Sequence, residues 1–136
     1  MDRILAAVSA FCYRIFISIP EGTARAVRGE QVMIDIKVER RRKEFGITIT
    51  GHAQYAEPGK DIVCSAISAL FENLIQSIEE LTDACIYHYQ TEGWHQIYGN
   101  HAQDDATLLV ESFRLGCMSI ASAYPDHVQC AYVNKG

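Results

Sequence analysis

The chain has 136 residues, 49% of them apolar and 21% charged, enough for one domain with a core that needs no disulfide or metal. Its formal net charge of −5 argues against a general nucleic-acid binder and suits a basic protein as partner. The five cysteines (Cys12, Cys64, Cys85, Cys117, Cys130) are an odd, scattered set without a CxxC pair, which fits reduced thiols in the cytoplasm better than a secreted disulfide framework.

Residues 1–32 differ in character from the remainder of the chain. Ile4 to Ile19 is mostly apolar, but Arg14 interrupts it and it is short for a membrane span, so no membrane association is expected. Ala24-Arg25-Ala26 has the small-x-small form of a signal-peptide cleavage site. Against secretion, Asp2 offsets Arg3, and Arg14 would sit inside the apolar region of the leader. Residues 1–32 are therefore read as an N-terminal extension: an added amphipathic segment, or an upstream start ahead of a fold that begins at Met33.

From Met33 onward the periodicities are legible. Ile34, Ile36 and Val38 alternate with Asp35, Lys37 and Glu39, the pattern of a half-buried strand. Arg40 to Glu44 reads as a charged turn, after which Phe45, Ile47 and Ile49 alternate with Gly46, Thr48 and Thr50, which predicts a β-hairpin. A helix is expected from about Asp61 to Leu81, with Val63, Ala66, Ile67, Leu70, Leu74, Ile78 and Leu81 on one face. Segments 84–90 and 94–98, meeting at Glu92-Gly93, predict a second hairpin.

A second helix is expected from about Asp104 to Tyr124. Two aspartates suit its N-terminal dipole, and Pro125 stops its continuation. Leu109, Phe113, Gly116, Cys117, Ile120 and Tyr124 mark one face, while Leu108, Leu115 and Met118 broaden it, so packing on more than one side is expected. Residues 127–133 close the chain as a strand. The expected fold is a single α/β domain of the α+β type, ordered ββαββαβ, with two helices packed against antiparallel β-hairpins.

The chemistry concentrates between the first hairpin and the first helix. His52 ends an apolar strand pattern, and Cys64 falls in the first turn of the helix, across a loop that contains Pro58 and Gly59. A thiol becomes a nucleophile when a base stands near it and the local field favours the thiolate. With Asp61 as N-cap, Cys64 would be the third helical residue, its side chain leaning back toward the loop and His52. Cys64 is then the candidate nucleophile and His52 the base that later protonates the leaving amine. Unpaired first-turn N–H groups are candidates for an oxyanion hole.

Ser68 lies one turn below Cys64 and either orients a polar group or bonds its own i−4 carbonyl. Gly51, Pro58 and Gly59 bracket a loop that either closes over a bound peptide or only connects.

Gly51-His52-Ala53, with Gly59-Lys60-Asp61-Ile62-Val63-Cys64 after it, resembles the hallmark of the ribosomal-processing cysteine protease (Prp, YsxB-like) family. Tyr55, Ala56, Ala66, Ser68 and Ala69 match as well, and the element order fits across residues 33–136, a span of about the family's usual size. The resemblance implies a homodimeric, cytoplasmic cysteine endopeptidase that needs no cofactor. Such an enzyme removes the N-terminal extension of a large-subunit ribosomal protein (number twenty-seven), cutting after aromatic residues. By position His52 and Cys64 inherit the dyad, and Asp61 inherits the acidic residue of the motif. Ser65 stands where the family commonly has alanine, and residues 1–32 have no family counterpart. Relatives among prophage genes leave a phage structural protein as an alternative substrate.

Other readings are weaker. Cys85, His88, His95 and His101 invite zinc, but 85 and 88 point to opposite faces of a strand, and no metal is expected. Tyr87, Tyr89, Trp94 and Tyr98 suit either a peptide groove or a sheet surface pairing two subunits, and strand propensity alone also explains them. Two rivals to the protease remain: a thiol redox protein using Cys64, and a dimeric binding module without turnover.

Overall fold

The structure is a computed structural model that describes residues 33–51, 62–91 and 93–135. Residues Gln31–Gly136 form one compact unit. Among the described residues seven elements run in the expected order: β1 (Ile34–Arg41), β2 (Glu44–Thr50), α1 (Ile62–Leu81), β3 (Cys85–Thr91), β4 (Trp94–Asn100), α2 (Asp104–Ala123) and β5 (Val128–Asn134). The strands make one five-stranded sheet in the order β3-β4-β2-β1-β5.

Both hairpins are antiparallel, and β2 joins them through an antiparallel ladder with β4 that sets Ile47 opposite Ile97. The last strand adds something the alternation could not carry. β5 lies parallel to β1, Ile36 opposite Cys130, which makes the sheet mixed. Parallel neighbours need a crossover connection, and between β1 and β5 the chain runs through both helices.

One face of the sheet carries the core. Ile34, Ile36 and Val38 of β1, Phe45, Ile47 and Ile49 of β2, Ile97 of β4 and Val128 of β5 are all buried. They belong to one cluster with Val63, Ile67, Phe71, Leu74, Ile75 and Ile78 of α1 and Ala106, Val110, Phe113 and Cys117 of α2. Gly99 lies directly opposite Phe45 in the β2–β4 ladder, and a side chain there would overlap the Phe45 ring. Gly116 of α2 is a milder case: a Cβ there would stand 3.0 Å from a Leu70 methyl carbon of α1, tight but not overlapping.

Several details differ from the sequence reading. The first hairpin turns on Arg42-Lys43 alone, because Arg41 already pairs with Glu44, and Arg42 takes φ +54° to make so short a turn. Leu81 is 69% exposed, since α1 ends there and Thr82 folds back, its hydroxyl donating to the Ile78 carbonyl at 2.8 Å. Leu108, Leu115 and Met118 are exposed rather than packed, so within the described residues α2 buries a single stripe.

α1 is long and apolar enough to cross a membrane by length and composition. Six of its side chains are nevertheless buried in the core cluster, the packing of a core helix.

Candidate functional site

A cavity of about 480 Å³ opens where five elements begin or end together. Its lining comes from Ile34 at the start of β1, Gly51 after β2, Cys64, Ile67 and Ser68 on α1, and Gln90, Thr91, Gly93 and His95 around the β3–β4 turn. The Gly51 N–H donates to the Gly93 carbonyl at 3.0 Å, which locks the end of the first hairpin against the turn of the second. Gly51 adopts φ +91°, and a Cβ there would overlap the Met33 carbonyl oxygen. Only glycine meets both conditions.

Cys64 is the third residue of α1, half-buried, its side chain packed against the core and bordering the cavity. At this depth in a helix the backbone N–H groups have no intrahelical acceptor, and the positive end of the dipole favours negative charge. Ser68, one turn on, is exposed and borders the same space.

Of the residues singled out in the sequence, Gly51, Cys64 and Ser68 are therefore brought together. His52, Pro58, Gly59 and Asp61 lie outside the described residues. The chain from 52 to 61 nonetheless leaves from Gly51, which lines the cavity, and rejoins at Ile62, two residues before Cys64.

The other thiols do different work. Cys117 is fully buried, and burial, aided by the neighbouring Cys130, pushes its pKa up to about 12, so it is a core side chain and no nucleophile. Burial also raises Cys130, with Arg114 pulling the other way and Asp35 adding to the rise. Among the described residues no second cysteine borders the cavity, so a redox role for Cys64 lacks a resolving partner there.

Cys85 and His88 fall on opposite faces of β3, and among the described residues no group of three or more His, Cys, Asp or Glu could hold a metal ion. Tyr87, Tyr89, Trp94 and Tyr98 share the sheet face away from the helices, hence away from Cys64. There Tyr87 stacks on Tyr98, whose hydroxyl donates to Glu44 at 2.9 Å. They make no groove at the thiol.

The sequence reading missed Gln90, Thr91 and His95 as cavity residues. His95 sits opposite Ile49 in one ladder and opposite Gln90 in the other, which turns it to the helix side. Alternation within β4 implied that one of each neighbouring pair faces the helices, but the pairing that carries position 95 to Cys64 is long-range and invisible locally.

Comparison with known proteins agrees with this architecture. The chain is 26% identical over 106 residues to the ribosomal processing cysteine protease Prp of Staphylococcus aureus, covering 74% of this chain and 98% of that protein. Among solved structures, the essential ribosomal processing protease Prp from S. aureus, in complex with a covalently linked product peptide, superposes with a TM-score of 0.68 at 23% identity over 74% of this chain and 99% of the other. SMU.848 from Streptococcus mutans superposes with a TM-score of 0.60 at 28% identity, covering 76% and 96%. The family model described as cysteine protease Prp matches residues 33–129, spanning every element from β1 into β5, and the chain belongs to that family.

Proposed function

We propose that this chain is a cysteine endopeptidase in which Cys64 attacks the scissile carbonyl and His52 moves the proton. The observation that carries the reading is the thiol in the first turn of α1, bordering a cavity that is also lined by Gly51, the residue to which His52 is joined. Adjacent Cα atoms are about 3.8 Å apart.

In the first step the imidazole of His52 takes the thiol proton, and the thiolate adds to the peptide carbonyl. The developing oxyanion is met by N–H groups of the first turn of α1. The imidazolium then gives its proton to the leaving amine, the acyl-enzyme remains on sulfur, and water taken up through the same histidine releases the new carboxylate. Asp61 is assigned to the N-cap of α1 and Ser68 to a supporting polar position beside Cys64.

The substrate proposed is the N-terminal extension of a large-subunit ribosomal protein (number twenty-seven), cut after aromatic residues, or a related phage protein. Ile34 and Ile67 give the cavity an apolar side suited to an aromatic ring, and a net charge of −5 favours encounter with a basic ribosomal protein. The enzyme is proposed to work in the cytoplasm as a homodimer and without a cofactor.

The deciding measurement is cleavage of a synthetic peptide that copies such an extension, read out by mass spectrometry. A single cut after an aromatic residue is expected. Cys64→Ala and His52→Ala should each lower kcat/KM by at least about a thousandfold. Binding without any cut would instead identify a module that kept the scaffold and lost turnover.

A further inference from the structure

We propose that Glu72 is a positioning residue of the Cys64 cavity, acting through Gln90 to hold the end of β3 against α1. The proposal deepens the endopeptidase reading and rests on it for the peptide that the cavity takes. β3 is an edge strand, paired with β4 alone. Its helix-side residues Ile86, His88 and Gln90 stand opposite Gly99, Ile97 and His95 in the ladder. Ile86 packs against the core cluster, but His88 and Gln90 are exposed. On this face apolar packing therefore anchors β3 near its start and fades toward the end that lines the cavity with Gln90 and Thr91. At that end Gln90 Nε2 donates to Glu72 Oε1 at 2.8 Å. Among the described residues this is the only side-chain hydrogen bond between β3 and α1.

A carboxylate acceptor strengthens the bond, yet its exposure keeps the contribution to global stability small, because water competes for both partners. Its local effect is larger. α1 supplies Cys64 and Ser68 to the cavity and β3 supplies Gln90 and Thr91, so the spacing of these two elements is what a bound peptide meets. The Gly51–Gly93 bond fixes the second hairpin to the first, and the Gln90–Glu72 bond fixes it to α1. Without the second tie the end of an edge strand opens by itself, at a cost well below that of unfolding the chain. A peptide then finds the cavity at its fitting width only part of the time, and its apparent affinity falls by that fraction. Glu72 lies eight residues after Cys64, about 12 Å along the helix axis, so the attack on the carbonyl itself is untouched.

The test separates binding from turnover by using the full-length chain with Cys64→Ala. A fluorescein-labelled peptide copying a ribosomal-protein extension is the probe, and affinity is read by anisotropy. Adding Glu72→Ala should raise Kd about fivefold and leave the urea midpoint unchanged. In the unliganded chain the amides of residues 88–91 that bond to β4 should exchange with deuterium at least about threefold faster. Glu72→Gln, which keeps an acceptor oxygen, should retain most of the affinity. In a Gln90→Ala background Glu72→Ala should have no further effect, because it acts only through that carboxamide. With the thiol restored, Glu72→Ala should raise KM about fivefold and hold kcat within about twofold. Unchanged Kd or exchange, a lower urea midpoint, or the same loss with Glu72→Gln as with Glu72→Ala would overturn the proposal. So would an undiminished effect in the Gln90→Ala background, a fall in kcat at constant KM, or no peptide binding at all. No cut by the unsubstituted chain, with binding and its dependence on Glu72 intact, refutes the endopeptidase reading and leaves the tie standing.

Discussion

Glu111 illustrates how much one side chain can hold. From α2 its carboxylate accepts from Arg40 of β1 at 3.0 Å, from Tyr132 of β5 at 3.0 Å and from Arg114 Nε at 2.9 Å, while the Arg114 guanidinium lies over the Tyr132 ring at 4.6 Å. Burial alone would raise the Glu111 pKa, but the hydrogen bonds from Arg114, Arg40 and Tyr132 outweigh it, and the net shift is downward. Arg40 is the mirror case: burial lowers it, the bonds to Glu111 and Tyr132 raise it, and the net shift is upward.

A carboxylate with a depressed folded pKa stabilises the fold above its unfolded value, 4.5 here, and loses that contribution as the pH falls through the folded value. Glu111→Gln should therefore cost about 1–2 kcal/mol at pH 7, and the gap from wild type should shrink below pH 4.5, measured by urea unfolding across pH. Gly51 is the residue-scale requirement at the site. Gly51→Ala should cost at least about 2 kcal/mol in the same assay, because it meets both a positive φ and the Met33 carbonyl. It should also depress peptide cleavage beyond what lost stability explains, since the residue precedes His52.

The elements carry their own signals, and where they were missed the cause is local. The alternation at 34–38 and 45–50 and the three-and-four spacing from Val63 to Ile78 marked out both strands and the helix, because each buries one face. The turn was read two residues too early and one too late, because nothing in Arg-Arg-Lys announces a left-handed conformation at Arg42. A side chain at φ +54° is strained, so Arg42→Gly should stabilise the protein by about 0.5–1 kcal/mol in thermal or urea unfolding. The apolar residues of α2 were over-read as well. Leu108, Leu115 and Met118 are apolar by composition, yet a helix lying on one sheet and one neighbouring helix buries only the stripe it turns toward them.

At the scale of the molecule, a mixed sheet brings the ends of β1, β2 and the second hairpin to the first turn of α1. The family match begins at residue 33, and Gln31–Gly136 is one compact unit. Removing residues 1–32 is expected to leave a folded chain that cleaves the peptide with kcat/KM within about threefold of the full protein. Light scattering of the full chain should report twice the 15.2 kDa of one copy, and a monomer that still cleaves would remove dimerisation from the proposed mechanism.

Order and type of the seven elements, the candidacy of Cys64 and the glycine at position 51 were all readable in the linear chain, because periodicity, helix starts and motif spacing are local properties. The parallel partnership of β5 with β1, the inward turn of His95 and Gln90, and the burial that leaves Cys117 inert were decided only by tertiary contact. Each depends on which distant strand or helix a residue meets, and a single sequence carries no record of that pairing.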